Sequence, residues 1–224
     1  MNINKEHSPA WVKITIWITI FAFVFAFIAV GFLQVITSIK SNSSSSSSST
    51  SSSSTTTSAA QQISTVNSQY QTSAVSSEAL VKKEPKNKTQ VASLAGLYSQ
   101  WGTALLKISN STEAQTQAAE KLQTANKYWK QAYDLDPNDK EVAGDYATSL
   151  YYVGDTQGAI KVAQEVVKKN PKYATVWYNL GIYQSATNKS EAIKSLENAI
   201  KYETDATQKK SAQEALASLK KSSN

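Results

Sequence analysis

The 224-residue chain has no cysteine, no arginine and a single histidine. Without cysteine there is no disulfide, no thiolate metal site and no cysteine nucleophile. Without arginine, the planar fork that grips phosphate or carboxylate in two places is missing, so recognition of that kind is disfavoured. The one histidine, His7, stands in a polar N-terminal stub and builds neither a catalytic triad nor a multi-histidine metal site. No Gly-rich phosphate loop and no metal-ligand cluster appears. Neither a cofactor nor a metal is therefore expected. Phenylalanine is scarce beyond one place, since all five (21, 23, 25, 27 and 32) lie in the first forty residues.

The charge is present but not concentrated. The net value of +6 divides evenly among residues 1–40, 41–88 and 89–224, and the last part sets sixteen lysines against fourteen acids. Nucleic-acid binding needs a basic footprint on one face, and none is seen, so nucleic acid is not expected as a partner.

Three compositional parts follow in order. After the stub 1–10, residues 11–39 are apolar, and no charge interrupts Ile14 to Ile36. At 1.5 Å per residue that run reaches about 35 Å, enough to cross a hydrocarbon core of about 30 Å with some tilt. Trp11 and Trp17 sit near the first interface, where indole rings are favoured. A cleaved signal peptide has a shorter apolar core and a small-x-small site, which "QVITSIKS" does not supply. The expectation is one transmembrane helix, with secretion after cleavage as the alternative. Lys5 and Lys13 precede the run and only Lys40 follows closely, which places the N-terminus in the cytoplasm and residues 40–224 outside.

Residues 40–88 carry "SNSSSSSSSTSSSSTTTS" from Ser41 to Ser58 and continue rich in Ser, Thr, Gln, Asn and Lys. Such a segment is expected to stay disordered, because it buries too little to offset the entropy of ordering. A flexible chain of this length has a mean reach of roughly 35–40 Å. Dense Ser/Thr suits O-glycosylation outside a cell, which would stiffen it into a stalk.

Residues 89–224 carry a repeat. Pro137 and Pro171 are 34 residues apart. Ala132, Trp129 and Ala125 precede the first proline at the distances at which Val166, Ala163 and Ala159 precede the second. Trp177, Leu180 and Gly181 follow the second as Ala143, Tyr146 and Ala147 follow the first. This pattern resembles the tetratricopeptide repeat, W-x2-L-G-x2-Y, then A-x3-F-x2-A, then P. The resemblance implies an all-α fold of three helical hairpins. "DATQKKSAQEALASLKKS" supplies a C-terminal capping helix, with Ala212, Ala215, Leu216 and Leu219 on one face. Small residues (Gly181, Ala125, Ala159, Ala192) are expected where helix backbones approach closely. The first unit is irregular: about eleven extra residues around "KISNSTEAQTQ" either lengthen its inter-helix loop or extend its second helix.

What the resemblance implies about function is a groove lined by the first helix of each hairpin, taking a peptide or helix of a partner protein. Its positions map to Ser99, Gln100, Thr103, Leu106 and Lys107, then to Glu141, Asp145, Thr148, Tyr151 and Tyr152. In the third unit they map to Thr175, Tyr178, Asn179, Ile182 and Ser185. Of the Lys/Asn/Arg set that clamps a terminal carboxylate in chaperone-binding members, only Asn179 is present. Tyrosine is a good contact residue, being large, rather rigid and amphipathic. Tyr151 or Tyr152 packing on a neighbouring helix is the competing reading. The paired acids at 134/136 and 139/141 flank Pro137, where capping a helix start explains them better than acid–base catalysis. The expectation is a non-enzymatic, membrane-tethered adaptor. The alternative is a structural envelope protein with a glycosylated stalk and a self-associating repeat domain.

Overall fold

The computed structural model describes residues 58–221. The expected membrane span over 11–39, the stub before it and the Ser/Thr tract up to residue 57 lie outside the described residues. No helix among the described residues is long and apolar enough to cross a membrane.

Eight helices and no strand occur among the described residues. They are α1 Ala59–Lys83, α2 Lys88–Leu106, α3 Thr112–Leu135, α4 Lys140–Tyr152, α5 Thr156–Lys169, α6 Ala174–Gln184, α7 Lys189–Tyr202 and α8 Ala206–Lys221. Each packs chiefly on its sequence neighbours, and α4 also reaches α6. That is the contact pattern of a stack of hairpins: α2 with α3, α4 with α5, α6 with α7, then α8 as a closing helix.

Short polar side chains start most of these helices. Ser58, Asn87, Ser111, Asp139, Asp155 and Asn188 each accept a hydrogen bond from a first-turn backbone N–H. Each satisfies a donor the helix leaves unpaired. The acids around Pro137 are thereby placed. Asp139 Oδ1 accepts from the N–H groups of Glu141 and Val142. Asp136 and Asp139 both pair with Lys88, at 2.8 and 2.7 Å, which ties the start of α2 to the α3–α4 turn. The Lys88 ammonium holds the Asp136 carboxyl below its ordinary range. Asp134 pairs with Lys130 one helical turn away. The α4–α5 turn needs Gly154, whose φ of +89° lies in the left-handed region.

The irregular first unit is lengthened mainly as a hairpin. In the third unit, Gly181 is the close-approach point: a Cβ there would lie 2.7 Å from Leu196 Cγ and 3.2 Å from the Ala192 carbonyl. In the first unit Gly102 has the same neighbours in kind, Leu122 Cγ at 2.7 Å and the Ala118 carbonyl at 3.1 Å. The residue opposite Gly102 is therefore Ala118. Ala125, expected in that place, is buried seven residues, or two turns, further along α3. The inter-helix segment stays short, Lys107 to Ser111, and the extra chain extends the helices. Gly181→Ala should cost about 1–3 kcal/mol through this overpacking, in spite of alanine's better helix propensity, as read from the urea midpoint.

The disordered linker expected over 40–88 is corrected in its second half. Ala59–Lys83 is a 25-residue helix opened by a capping box between Ser58 and Gln61. The packed unit accordingly begins at Ala59 rather than at residue 89. Ile63, Ala74 and Val81 are buried, with Val66 and Tyr70 packed beside them, on one seam facing α2. The physical reason lies in α2, whose Val91, Leu94, Tyr98, Trp101 and Leu105 are all buried. One apolar face of α2 meets α3, and α1 covers what remains. Few apolar residues suffice on α1 because α2 supplies the complementary surface, and two polar contacts add direction. Trp101 Nε1 donates to Asn67 Oδ1 at 2.8 Å, and the Tyr98 hydroxyl donates to Glu78 Oε1 at 2.6 Å.

Beyond α3 a second core forms from Ala147, Leu150, Ala159, Ala163, Val166 and Leu180, with others. Leu196 and Ala199 of α7 and Ala212 of α8 are buried beyond it. The closing helix behaves as its pattern predicts, with Ala215, Leu216 and Leu219 half-buried and its Lys and Gln residues mostly exposed.

Candidate functional site

Helical spacing puts Glu141, Asp145, Thr148 and Tyr152 on one face of α4, and Thr175, Tyr178, Asn179 and Ile182 on one face of α6. The structure joins these faces. Asn179 Nδ2 donates to Thr148 Oγ1 at 3.3 Å, and the Tyr183 hydroxyl donates to the same oxygen at 2.9 Å. The Thr148 hydroxyl itself donates to the Gly144 carbonyl. Asp145 and Asn179 stand 34 residues apart, as do Glu141 and Thr175. Equivalent positions of successive hairpins therefore form one strip.

The fold is that of tetratricopeptide hairpins. The helix pairing, the repeated small-against-leucine contact and the 34-residue spacing together decide it. No protein-family model matches the chain, and no curated protein matches it in sequence. Solved structures resemble it at low identity. A crystal structure of MamA superposes with a TM-score of 0.49 and 16% identity, over 72% of this chain and 88% of that one. A MamA RS-1 double mutant gives 0.44 and 15%, over 74% and 97%. YrrB, described as a TPR protein with an unusual peptide-binding site, gives 0.39 and 16%, over 71% and 94%.

The strip runs into a cleft of about 330 Å³ between α6 and α8. Thr175, Tyr178 and Asn179 form one wall, Gln208, Ser211 and Ala212 the other, with Ala199 of α7 and Glu203 just past its end at the base. Three of the residues expected from the sequence thus line one cleft. A second cleft of about 370 Å³ opens on the opposite face of α6, beside Trp177 and Lys168.

Other expected groove residues are placed differently. Gln100 and Thr103 of α2 make no hydrogen bond or ring contact with α4. Thr103 Oγ1 donates to its own helix, at the Ser99 and Gln100 carbonyls. The first hairpin's extra length removes the register that the regular repeat implied. Ile182 is half-buried against the second core. Tyr151 stacks on Tyr183 with ring centroids 4.8 Å apart, so packing on the neighbouring helix occupies it. Tyr152 meets Tyr151 edge-on at 6.5 Å and keeps 47% of its surface exposed.

Tyr183 was not among the expected site residues. Its signal was available: a tyrosine one helical turn beyond Asn179. Burial pushes its hydroxyl pKa up to about 12, so it remains a hydrogen-bond donor. The wall supplied by α8 was also missed, since a capping helix is read for how it ends the core.

Asp145 is the electrostatic feature of the strip. Its carboxyl pKa is pushed up to about 6, first by desolvation and then by Glu141 and Asp139. The side chain is open to solvent by surface area, yet protein surrounds it closely enough to weaken its hydration, and no lysine pairs with it among the described residues. A carboxyl that is harder to ionise when folded makes its own ionisation oppose folding. The penalty is absent below about pH 4, the unfolded pKa, grows as pH rises, and is complete above the folded value. Asp145→Asn should therefore raise the urea midpoint near neutral pH, by less than about 1 kcal/mol once solvent screening is allowed for. Parent and variant should coincide at about pH 4.

Proposed function

We propose that the chain is a membrane-tethered adaptor whose repeat domain holds a peptide or helix of a partner protein against α4, α6 and α8. One observation carries the reading. The strip shared by α4 and α6, which carries the exposed Tyr152 on α4, continues into an open, largely apolar cleft at α8 lined by half-buried Tyr178. Concave sites with an apolar lining and a few placed polar groups are where proteins bind ligands. The uncharged run from Ile14 to Ile36 supports the tether, and the flanking lysines support an extracytoplasmic repeat domain.

Two measurements test it. The full-length chain in neutral detergent should sediment as one species independent of concentration. Robust self-association without any client would favour the structural envelope reading instead. A reporter active only in the cytoplasm, fused after residue 60, should be silent, and activity there would reverse the topology.

A further inference from the structure

The groove has a chemical preference of its own, and this inference rests on the adaptor reading above. The cleft between α6 and α8 is mostly apolar, and Glu203 is its one charged lining residue. Glu203 Oε1 accepts from the N–H groups of Thr204 and Asp205, which keeps the carboxylate in place. Next to the cleft, across the Thr148–Asn179 contact, lie Asp145 and Glu141 on the α4 face. Tyr173 and Tyr183 stand within electrostatic range of Asp145. Two lysines nearby are otherwise engaged. Lys140 Nζ lies over the Tyr173 ring at 5.2 Å, and Lys209 Nζ reaches the Glu203 carbonyl at 3.4 Å.

A chain of net charge +6 thus presents unpaired carboxylates along this strip. Desolvation first, and then Glu141 and Asp139, raise the Asp145 pKa, and no cation pairs with it among the described residues. A carboxylate with no cation partner is a group that receives a lysine or arginine head by ion pairing.

We infer that the groove's occupant is a short basic segment. Its apolar side chain fills the cleft between Tyr178 and Ala212, and an adjacent lysine or arginine sits against the exposed Asp145. Charge complementarity selects this partner over an acidic one.

The test titrates the full-length chain in neutral detergent with two labelled peptides. One has a central Leu-Phe pair flanked by lysines in a Gly/Ser background, and its twin carries glutamate at every lysine. Overall charge alone favours the acidic twin, since the chain is positive, so the predicted order is not a bulk effect. The basic peptide should bind about tenfold tighter than the twin, with the preference shrinking in salt. Asp145→Asn should remove most of the preference, and Tyr178→Ala should weaken both peptides alike. Equal or tighter binding of the acidic twin, or a preference untouched by Asp145→Asn, overturns the inference and leaves the groove reading standing. No binding of either peptide overturns both.

Discussion

Trp101→Ala is expected to destabilise the domain by about 3–5 kcal/mol and to release α1. Trp101 is 5% exposed and joins three helices. Its ring stacks on Tyr98 of its own helix at 5.8 Å and on Tyr70 of α1 at 6.1 Å. Lys121 of α3 lies over it, with the ammonium 4.1 Å from the ring centroid. Its Nε1 donates to Asn67 Oδ1, and Asn67 donates in turn to Gln117 Oε1 of α3. Truncation leaves a large cavity and strands the Asn67 acceptor. Because α1 is otherwise a polar helix held by a narrow seam, its amides should exchange with solvent well before those of α4 to α7. Urea denaturation gives the loss and hydrogen exchange locates it. A small loss with α1 still protected would show that the seam, not the tryptophan, holds the helix. Trp177→Ala is the contrast: that ring is half-buried, with Nε1 bonded to the Pro171 carbonyl, and its removal should cost less.

Replacing Tyr152 and Tyr178 together by alanine is expected to weaken partner capture by about a hundredfold or more, with helicity unchanged. Tyr152 is the most exposed ring of the strip, and Tyr178 lines the cleft. Neither makes a hydrogen bond on which the fold depends, so most of what is lost is contact with the partner. Large, rather rigid aromatic anchors commonly carry a disproportionate part of an interface's energy. Tyr151→Ala serves as the counter-example. Its ring already stacks on Tyr183, so that change should lower stability as well as binding. Unchanged capture by the double variant would move the binding surface elsewhere.

The hairpins could be read from the sequence because their constraints are local. Pro137 and Pro171 stop helices, Asp139 and Asp155 start them, and Gly181 needs a partner such as Leu196 at one fixed distance. Period and composition carry that information without knowledge of the tertiary structure. Helix α1 was not readable in the same way. Ser, Thr, Gln and Asn dominate Ala59–Lys83, and its few apolar residues gain value only once α2 presents a face to meet them. The eleven additional residues of the first hairpin were countable, but whether they made loop or helix depended on where Gly102 found its partner. In the candidate site, the 34-residue spacing aligned Asp145 with Asn179 and located Tyr178. It did not show that Tyr151 would spend its ring on Tyr183, nor that Ser211 and Ala212 would form the opposite wall, since both depend on how neighbouring helices settle against α6.

The most direct test of the account compares the two faces of α6. A photo-crosslinking residue is placed at Tyr178, inside the cleft facing α8, or at Lys168 of α5, beside the cleft on the opposite face, in the full-length chain in its native cells. The account predicts a partner protein crosslinked from position 178 and none from position 168. A partner recovered from position 168 and absent from position 178 would contradict it.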